Sequence, residues 1–112
     1  MKQFAVSSVF GALADPTRQR IVELLSGGPR RPGELATASD TSPSAMSRHL
    51  RILLGAGVVA DERPPHDARA RLFRLRLESM GAVQAWLDEL QAHADEQLAS
   101  FKRHVDRSSG VE

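Results

Sequence analysis

A mainly α-helical domain with one small β-hairpin is the fold class that this 112-residue sequence predicts. Three observations predict it. Apolar residues recur at helical spacing through most of the chain, and strict alternation replaces that spacing only over residues 58–77. A polar residue directly precedes proline at Asp15-Pro16 and Ser42-Pro43, the arrangement of a capped helix start. Gly27 and Gly28, then Gly55 and Gly57, follow apolar runs at the points where helices have to stop.

Composition narrows the class further. Hydrophobic residues at 41% and charged residues at 26% belong to a chain that folds around a core, and the length suits a single one. The absence of cysteine excludes disulfides, thiolate metal sites and a cysteine nucleophile. No apolar run approaches the roughly 18 residues of a membrane span. The N-terminus lacks the basic, apolar and cleavage regions of a signal peptide, so no membrane association and a cytoplasmic location are expected.

Taken in order, residues 3–14 read as a first helix with Phe4, Val9, Phe10 and Leu13 along a rough stripe. Asp15 and Pro16 open a second helix whose Ile21, Leu24 and Leu25 face inward, with Arg18 and Arg20 outside. Arg18 is read either as a phosphate contact or as a structural partner of Asp15. A short third helix runs from Pro32 to Ala38, and residues 39–41 make a tight turn into a fourth over residues 43–56. Ser42 caps that fourth helix and Pro43 occupies its first position. Met46, Leu50, Leu53 and Leu54 form its inward stripe, while Ser44, Ser47, Arg48 and Arg51 fall on or beside the opposite side. A short helix, a tight turn and a second helix make a helix-turn-helix, with the fourth helix as its recognition element.

After Gly57, residues 58–63 and 71–77 read as strands, with Phe73, Leu75 and Leu77 alternating with Leu72, Arg74 and Arg76. Residues 64–68 supply the turn. A hairpin directly after a recognition helix is a wing, and Arg69 and Arg71 near its tip suit a phosphate backbone or a minor groove. The segment from about Glu78 to Asp106 reads as one long helix with Val83, Leu87, Leu90, Ala94, Leu98, Phe101 and Val105 stepping by three or four residues. So long a stripe exceeds what a small domain covers, and a second copy of the chain is expected to cover it, joined by Phe4 and Phe10 of the first helix. Residues 1–106 are thus expected to form one domain for DNA binding and dimerisation, and 107–112 a frayed tail.

Charge is distributed to match. Residues 43–76 hold seven arginines against three acidic residues, and the chain after Leu77 holds seven acidic residues against three basic ones. The basic stretch coincides with the recognition helix and wing, where it suits double-stranded DNA.

Three runs now carry a family resemblance: Ala12 to Leu25 with its Asp-Pro-Thr-Arg core, Gly33 to Ala36, and Ser44 to Leu54 with its Ser-Arg-His-Leu core, followed by Gly57. Together with Arg69 and Arg71 before the second strand, they resemble the ArsR family of winged helix-turn-helix repressors over roughly residues 5–105. The resemblance implies a homodimer joined through its first and last helices, with two recognition helices in successive major grooves of a pseudo-palindromic operator. Carried over residue by residue, it implies base reading by Ser44, Ser47, Arg48 and His49, with Arg51 nearer a phosphate. Arg48 suits two hydrogen bonds to O6 and N7 of one guanine. His49 lies between the two faces by helical angle and is read either as a base contact or as a partly buried histidine bonding to neighbouring backbone or a phosphate. The implied dimer contacts are Phe4, Phe10, Leu87, Leu90, Ala94, Leu98 and Phe101.

The signal is less legible. Family members that sense arsenic, cadmium or lead use cysteines, which this chain lacks. Others hold zinc, nickel or cobalt between their last helices with an Asp-x-His pair and, eleven residues after that histidine, a His-x-x-His or His-x-x-Glu pair. His93 and His104 keep the spacing, but the partner positions are Gln91 and Arg107, a poor ligand and a cation, so no metal or other cofactor is assigned. The Trp86-Leu87 start with Leu90 is closer to metal-independent members, leaving an unidentified effector or partner protein as the source of any signal. A metal-responsive repressor using His93 and His104 is one alternative. The other is a winged helix that binds only protein, which an acidic or apolar recognition face would favour. Catalysis lacks a foothold: Ser47 and His49, two residues apart, point to different helix faces, and no phosphate loop or paired carboxylates accompany them.

Overall fold

The computed structural model describes residues 5–67 and 69–109. In order, it contains helices α1 (Val6–Leu13), α2 (Pro16–Leu25), α3 (Pro32–Ala38) and α4 (Pro43–Gly55), strands β1 (Val59–Glu62) and β2 (Leu72–Leu75), and helix α5 (Leu77–Ser109). Three of the helices start on the prolines that the sequence singles out. At α2 the Asp15 carboxylate accepts the Arg18 backbone N–H at 3.0 Å, and at α4 the Ser42 hydroxyl accepts that of Ala45 at 3.2 Å. At α3 the Glu34 carboxylate reaches back to accept the Arg31 N–H at 2.8 Å.

These starts turn one face of each helix inward. Val9 and Ala12 of α1, Ile21 and Leu25 of α2, Leu35 and Ala36 of α3, and Met46, Leu50 and Leu53 of α4 are buried, with Val58, Val59 and Phe73 closing the core from the hairpin side. Each large side chain among them contributes roughly 1.5–3 kcal/mol by leaving water. Of the stripe expected on α1, Phe4 lies outside the described residues, Val9 is buried, and Phe10 is 39% exposed.

Strands β1 and β2 pair antiparallel, with Val59 opposite Leu75, Asp61 opposite Phe73 and Glu62 opposite Leu72. Gly57, at φ 76°, makes the left-handed step between α4 and β1 that a residue with a Cβ takes only under strain. The second strand ends sooner than the alternation predicts. Ser79 donates both its backbone N–H, at 3.1 Å, and its hydroxyl, at 2.7 Å, to the Arg76 carbonyl, closing a first helical turn. Leu77 therefore starts α5, 73% exposed, and does not extend the inner face of the strand with Phe73 and Leu75.

Within the span that the sequence assigns to one domain, the chain divides into two compact units at Ala82 and Val83, the second holding the remainder of α5. From Gln84 to Leu98 every residue of that helix is exposed. The helix runs past Asp106 to Ser109, so residues 107–109 are helical where the sequence predicts a frayed tail. Arg107 in the last turn suits the negative end of the helix dipole.

Candidate nucleic-acid interface

Helices α3 and α4 meet through the turn at residues 39–42. Thr41 N–H bonds to the Ala36 carbonyl at 2.9 Å, and Asp40 takes a left-handed φ of 50°, which an aspartate tolerates better than most residues. The turn presents the outward face of α4. Ser44, Ser47, Arg48, Arg51 and Ile52 are all exposed on it, at the three- and four-residue spacing of one helix side. Neither Arg48 nor Arg51 makes a side-chain hydrogen bond or ion pair with any described residue. Ile52, 40% exposed, was missed in the sequence, although its place four residues after Arg48 is the signal that would have found it. An apolar side chain there suits the C5-methyl group of thymine.

His49 is half-buried at the edge of this face. Its Nδ1 lies 3.2 Å from Nη1 of Arg18, whose Nε donates to the Ala12 carbonyl at 2.6 Å. Arg18 is thus drawn inward, unlike the outside position that the helical pattern predicts for it. It is tied to Asp15 through its backbone, and its guanidinium joins the end of α1 to α4. The Arg18 N–H that Asp15 accepts holds the Asp15 carboxyl below its ordinary 3.8, against partial burial and with help from the Arg18 charge.

The wing is held differently. Arg71 donates from Nε at 3.0 Å and from Nη2 at 2.9 Å to the same oxygen, Oδ2 of Asp61, and its guanidinium lies 4.8 Å from the centroid of the buried Phe73 ring. Arg74 approaches Glu62 at 3.9 Å. At the tip Arg69 is exposed, its backbone N–H donating to Asp67 Oδ1 at 3.1 Å. Phe73 also exchanges both backbone hydrogen bonds with Arg30, at 2.9 and 3.0 Å, which fastens the wing to the connection between α2 and α3. Pro32 biases Arg31 toward extended backbone, but nothing in the sequence indicates that Arg30 pairs with Phe73. Ser47 and Arg51 of α4 and Arg71 of the wing line one shallow groove with Phe73.

The other expected site residues lie on α5. Leu87 and Leu90 are exposed, as are Leu98 at 67% and Phe101 at 64%, and Ala94 falls on the same exposed helix. His93 and His104 are exposed too, and Gln91 donates to Asp95 at 2.9 Å. Among the described residues no three histidine, cysteine or carboxylate side chains gather where they would hold a metal ion. No helix among them is long and apolar enough to cross a membrane.

The chemistry of this surface is that of a basic, hydrogen-bonding ridge beside a hairpin that carries arginines. The family model described as bacterial regulatory protein, arsR family, matches residues 15–61. The transcriptional repressor SdpR of Bacillus subtilis is 41% identical over 58 residues, which are 52% of this chain and 64% of that one, just under two thirds of its length. The HTH-type transcriptional regulator Rv2034 of Mycobacterium tuberculosis is 40% identical over 95 residues, 85% of this chain and 83% of its own. The solution structure of the homodimeric winged helix-turn-helix DNA-binding domain of Mb0332 from Mycobacterium bovis, a possible ArsR-family regulator, superposes with a TM-score of 0.59 at 29% identity, covering 83% of this chain and 81% of that domain. The helix-turn-helix, the wing and this extended likeness lead to one conclusion: the chain belongs to the ArsR family of bacterial regulatory proteins, which are DNA-binding winged helix-turn-helix transcriptional regulators and not enzymes.

Proposed function

We propose that the chain is a cytoplasmic, homodimeric repressor that binds a pseudo-palindromic operator near its own gene, with α4 in the major groove and the wing on the flanking backbone. The observation that carries this reading is the outward face of α4, where Arg48 and Arg51 stand exposed without a protein partner beside Ser44 and Ser47. Arg48 reads a guanine, the serines adapt to neighbouring bases, and Arg51, Arg69 and Arg71 neutralise phosphates. The repressor named SdpR and the homodimeric Mb0332 domain support the two finer parts of the reading.

Dimerisation is assigned to exposed apolar residues of α1 and α5, namely Phe10, Leu87, Leu90, Leu98 and Phe101, with Ala94 among them. So many large apolar side chains exposed on one helix are uncommon in a chain that stays monomeric. Replacing Leu98 and Phe101 together by Glu is expected to yield a monomer in sedimentation and to abolish tight operator binding. A variant that still sediments as a dimer would move the interface elsewhere.

The deciding experiment is an anisotropy titration on DNA from upstream of the chain's own gene, beside a shuffled duplex, at two salt concentrations and with and without zinc. Tight binding to the upstream DNA alone, weakened by salt and indifferent to zinc, is expected. If a selection from random DNA also yields no preferred sequence, the reading fails. Release by zinc would transfer the sensing role to His93 and His104.

A further inference from the structure

We infer that Arg18 is a positioning residue that fixes His49 as a neutral donor, through Nε2–H, to a hydrogen-bond acceptor on the DNA. This deepens the proposed function and rests on it.

The argument begins with what arginine lacks. A guanidinium carries only donors, so the 3.2 Å contact between Arg18 Nη1 and His49 Nδ1 is a hydrogen bond only when Nδ1 holds its lone pair. The ring proton then sits on Nε2. Arg18 is not free to turn away, because its Nε donates to the Ala12 carbonyl at 2.6 Å while its backbone N–H is taken by Asp15 at 3.0 Å. Three elements therefore meet at one guanidinium: the end of α1, the first turn of α2 and the middle of α4.

The second observation concerns the proton that remains. His49 Nε2 makes no hydrogen bond with any described residue, although the ring is half-buried and follows Ser47 and Arg48 directly on the recognition helix. A half-buried donor left unused by its own chain is open to water or to an incoming acceptor. DNA offers two acceptors of the same chemistry there, a phosphate oxygen and the N7 or O6 of guanine. Arg18, with two edges of its guanidinium committed to protein, acts through His49 and does not itself touch the duplex. The pairing of the two is not legible in the sequence, where Arg18 and His49 are 31 residues apart.

A double-mutant cycle on full-length protein tests this, using a duplex that the parent has been shown to select. R18M and H49F are each expected to weaken specific binding about three- to tenfold, the range of one hydrogen bond. The double variant is expected to bind no more weakly than H49F alone, and His49→Gln, which keeps a donor at similar reach, to recover most of the loss. If R18M costs as much in the H49F background as in the parent, Arg18 acts independently of His49 and the inference is overturned. Because R18M also removes a tie to α1, nitrogen-15 correlation spectra of the parent's imidazole supply a reading that needs no variant. They are expected to show Nε2 protonated and Nδ1 unprotonated near neutral pH, and a proton on Nδ1 would overturn the inference.

Operator duplexes carrying single 7-deazaguanines or single methylphosphonates identify the acceptor, since the His49 effect vanishes on the modification that removes it. If no single modification of either kind abolishes the His49 effect, the inference is overturned. Failure of the parent to select any sequence would remove the regulator reading and this inference with it. An additive cycle on a selected duplex removes this inference alone.

Discussion

Helix α4 and the wing both carry arginines on an exposed face, but the protein treats those arginines differently. Met46, Leu50 and Leu53 seat α4 in the core, and its Arg48 and Arg51 have no described partner. Val59 and Phe73 seat the wing, and its Arg71 and Arg74 are each matched to an acid on β1, Asp61 and Glu62. An unpartnered guanidinium meets DNA at the cost of its own solvation and rotamer freedom. A paired one has to share or leave its carboxylate as well. Selectivity should therefore lie in α4, while the wing supplies a background affinity set partly by its own acids.

The largest effect tests the seating of the wing. Phe73 is fully buried, lies under Arg71 and holds Arg30 through its backbone, so Phe73→Ala is expected to cost about 3–5 kcal/mol in urea denaturation. A loss under about 1 kcal/mol would mean that the backbone pairing with Arg30 holds the wing without the ring.

Arg48 separates the two regions most sharply in binding. Arg48→Ala is expected to cost about 1–3 kcal/mol on the selected duplex and little on a shuffled one, because a bidentate guanine contact is lost while phosphate contacts stay. Titrations of both duplexes at one salt concentration read the ratio directly. Equal losses on the two duplexes would place Arg48 on the backbone and leave selectivity to another side chain of α4, with Ile52 the next to replace.

The wing's own prediction runs in the opposite direction. The Asp61–Arg71 pair is solvent-exposed, so it contributes little to stability, and Asp61→Asn should fold as the parent does. Losing that carboxylate releases Arg71 and removes a charge that repels phosphate. Every duplex is then expected to bind about two- to fivefold tighter, with a salt slope steeper by about 0.9. Arg71→Ala should do the reverse on all sequences alike. An Asp61→Asn protein with unchanged affinity and slope would show that Arg71 faces no phosphate in the complex.

The same comparison explains what the sequence could disclose. The starts of α2, α3 and α4 are legible because each depends on neighbouring residues, Asp15 or Ser42 with a following proline, or Pro32 itself. The outward face of α4 follows from helical period alone. The pairing of Arg71 with Asp61 depends on strand register, which alternation leaves open by two residues in either direction. The fate of Leu77 turned on a competition between continued alternation and the Ser79 hydroxyl, and the local hydrogen bonds prevailed. Arg18 looked external because its helical angle ignores the carbonyl of Ala12 and the ring of His49, which only tertiary packing brings near it. Period thus exposed the outward face of α4 and hid the tertiary contacts at its edge.

The smallest effect belongs to the support beneath α4. Asp15 caps α2 and sits beside Arg18, and its carboxyl titrates below 3.8 in the folded chain. A carboxyl depressed by folding adds stability above its unfolded value and loses it as pH falls through its folded value. Asparagine caps a helix about as well as aspartate, so Asp15→Asn keeps the hydrogen bond and removes only the charge. The parent should therefore melt higher than Asp15→Asn at pH 7, with the gap constant down to about pH 5 and closing as pH drops below 3.8. Comparing the two proteins at each pH cancels the acid unfolding they share. A gap that persists unchanged at pH 3 would arise from the shape of the cap and not from its charge. Arg18 would then be held for His49 by the backbone bond and the Ala12 carbonyl alone.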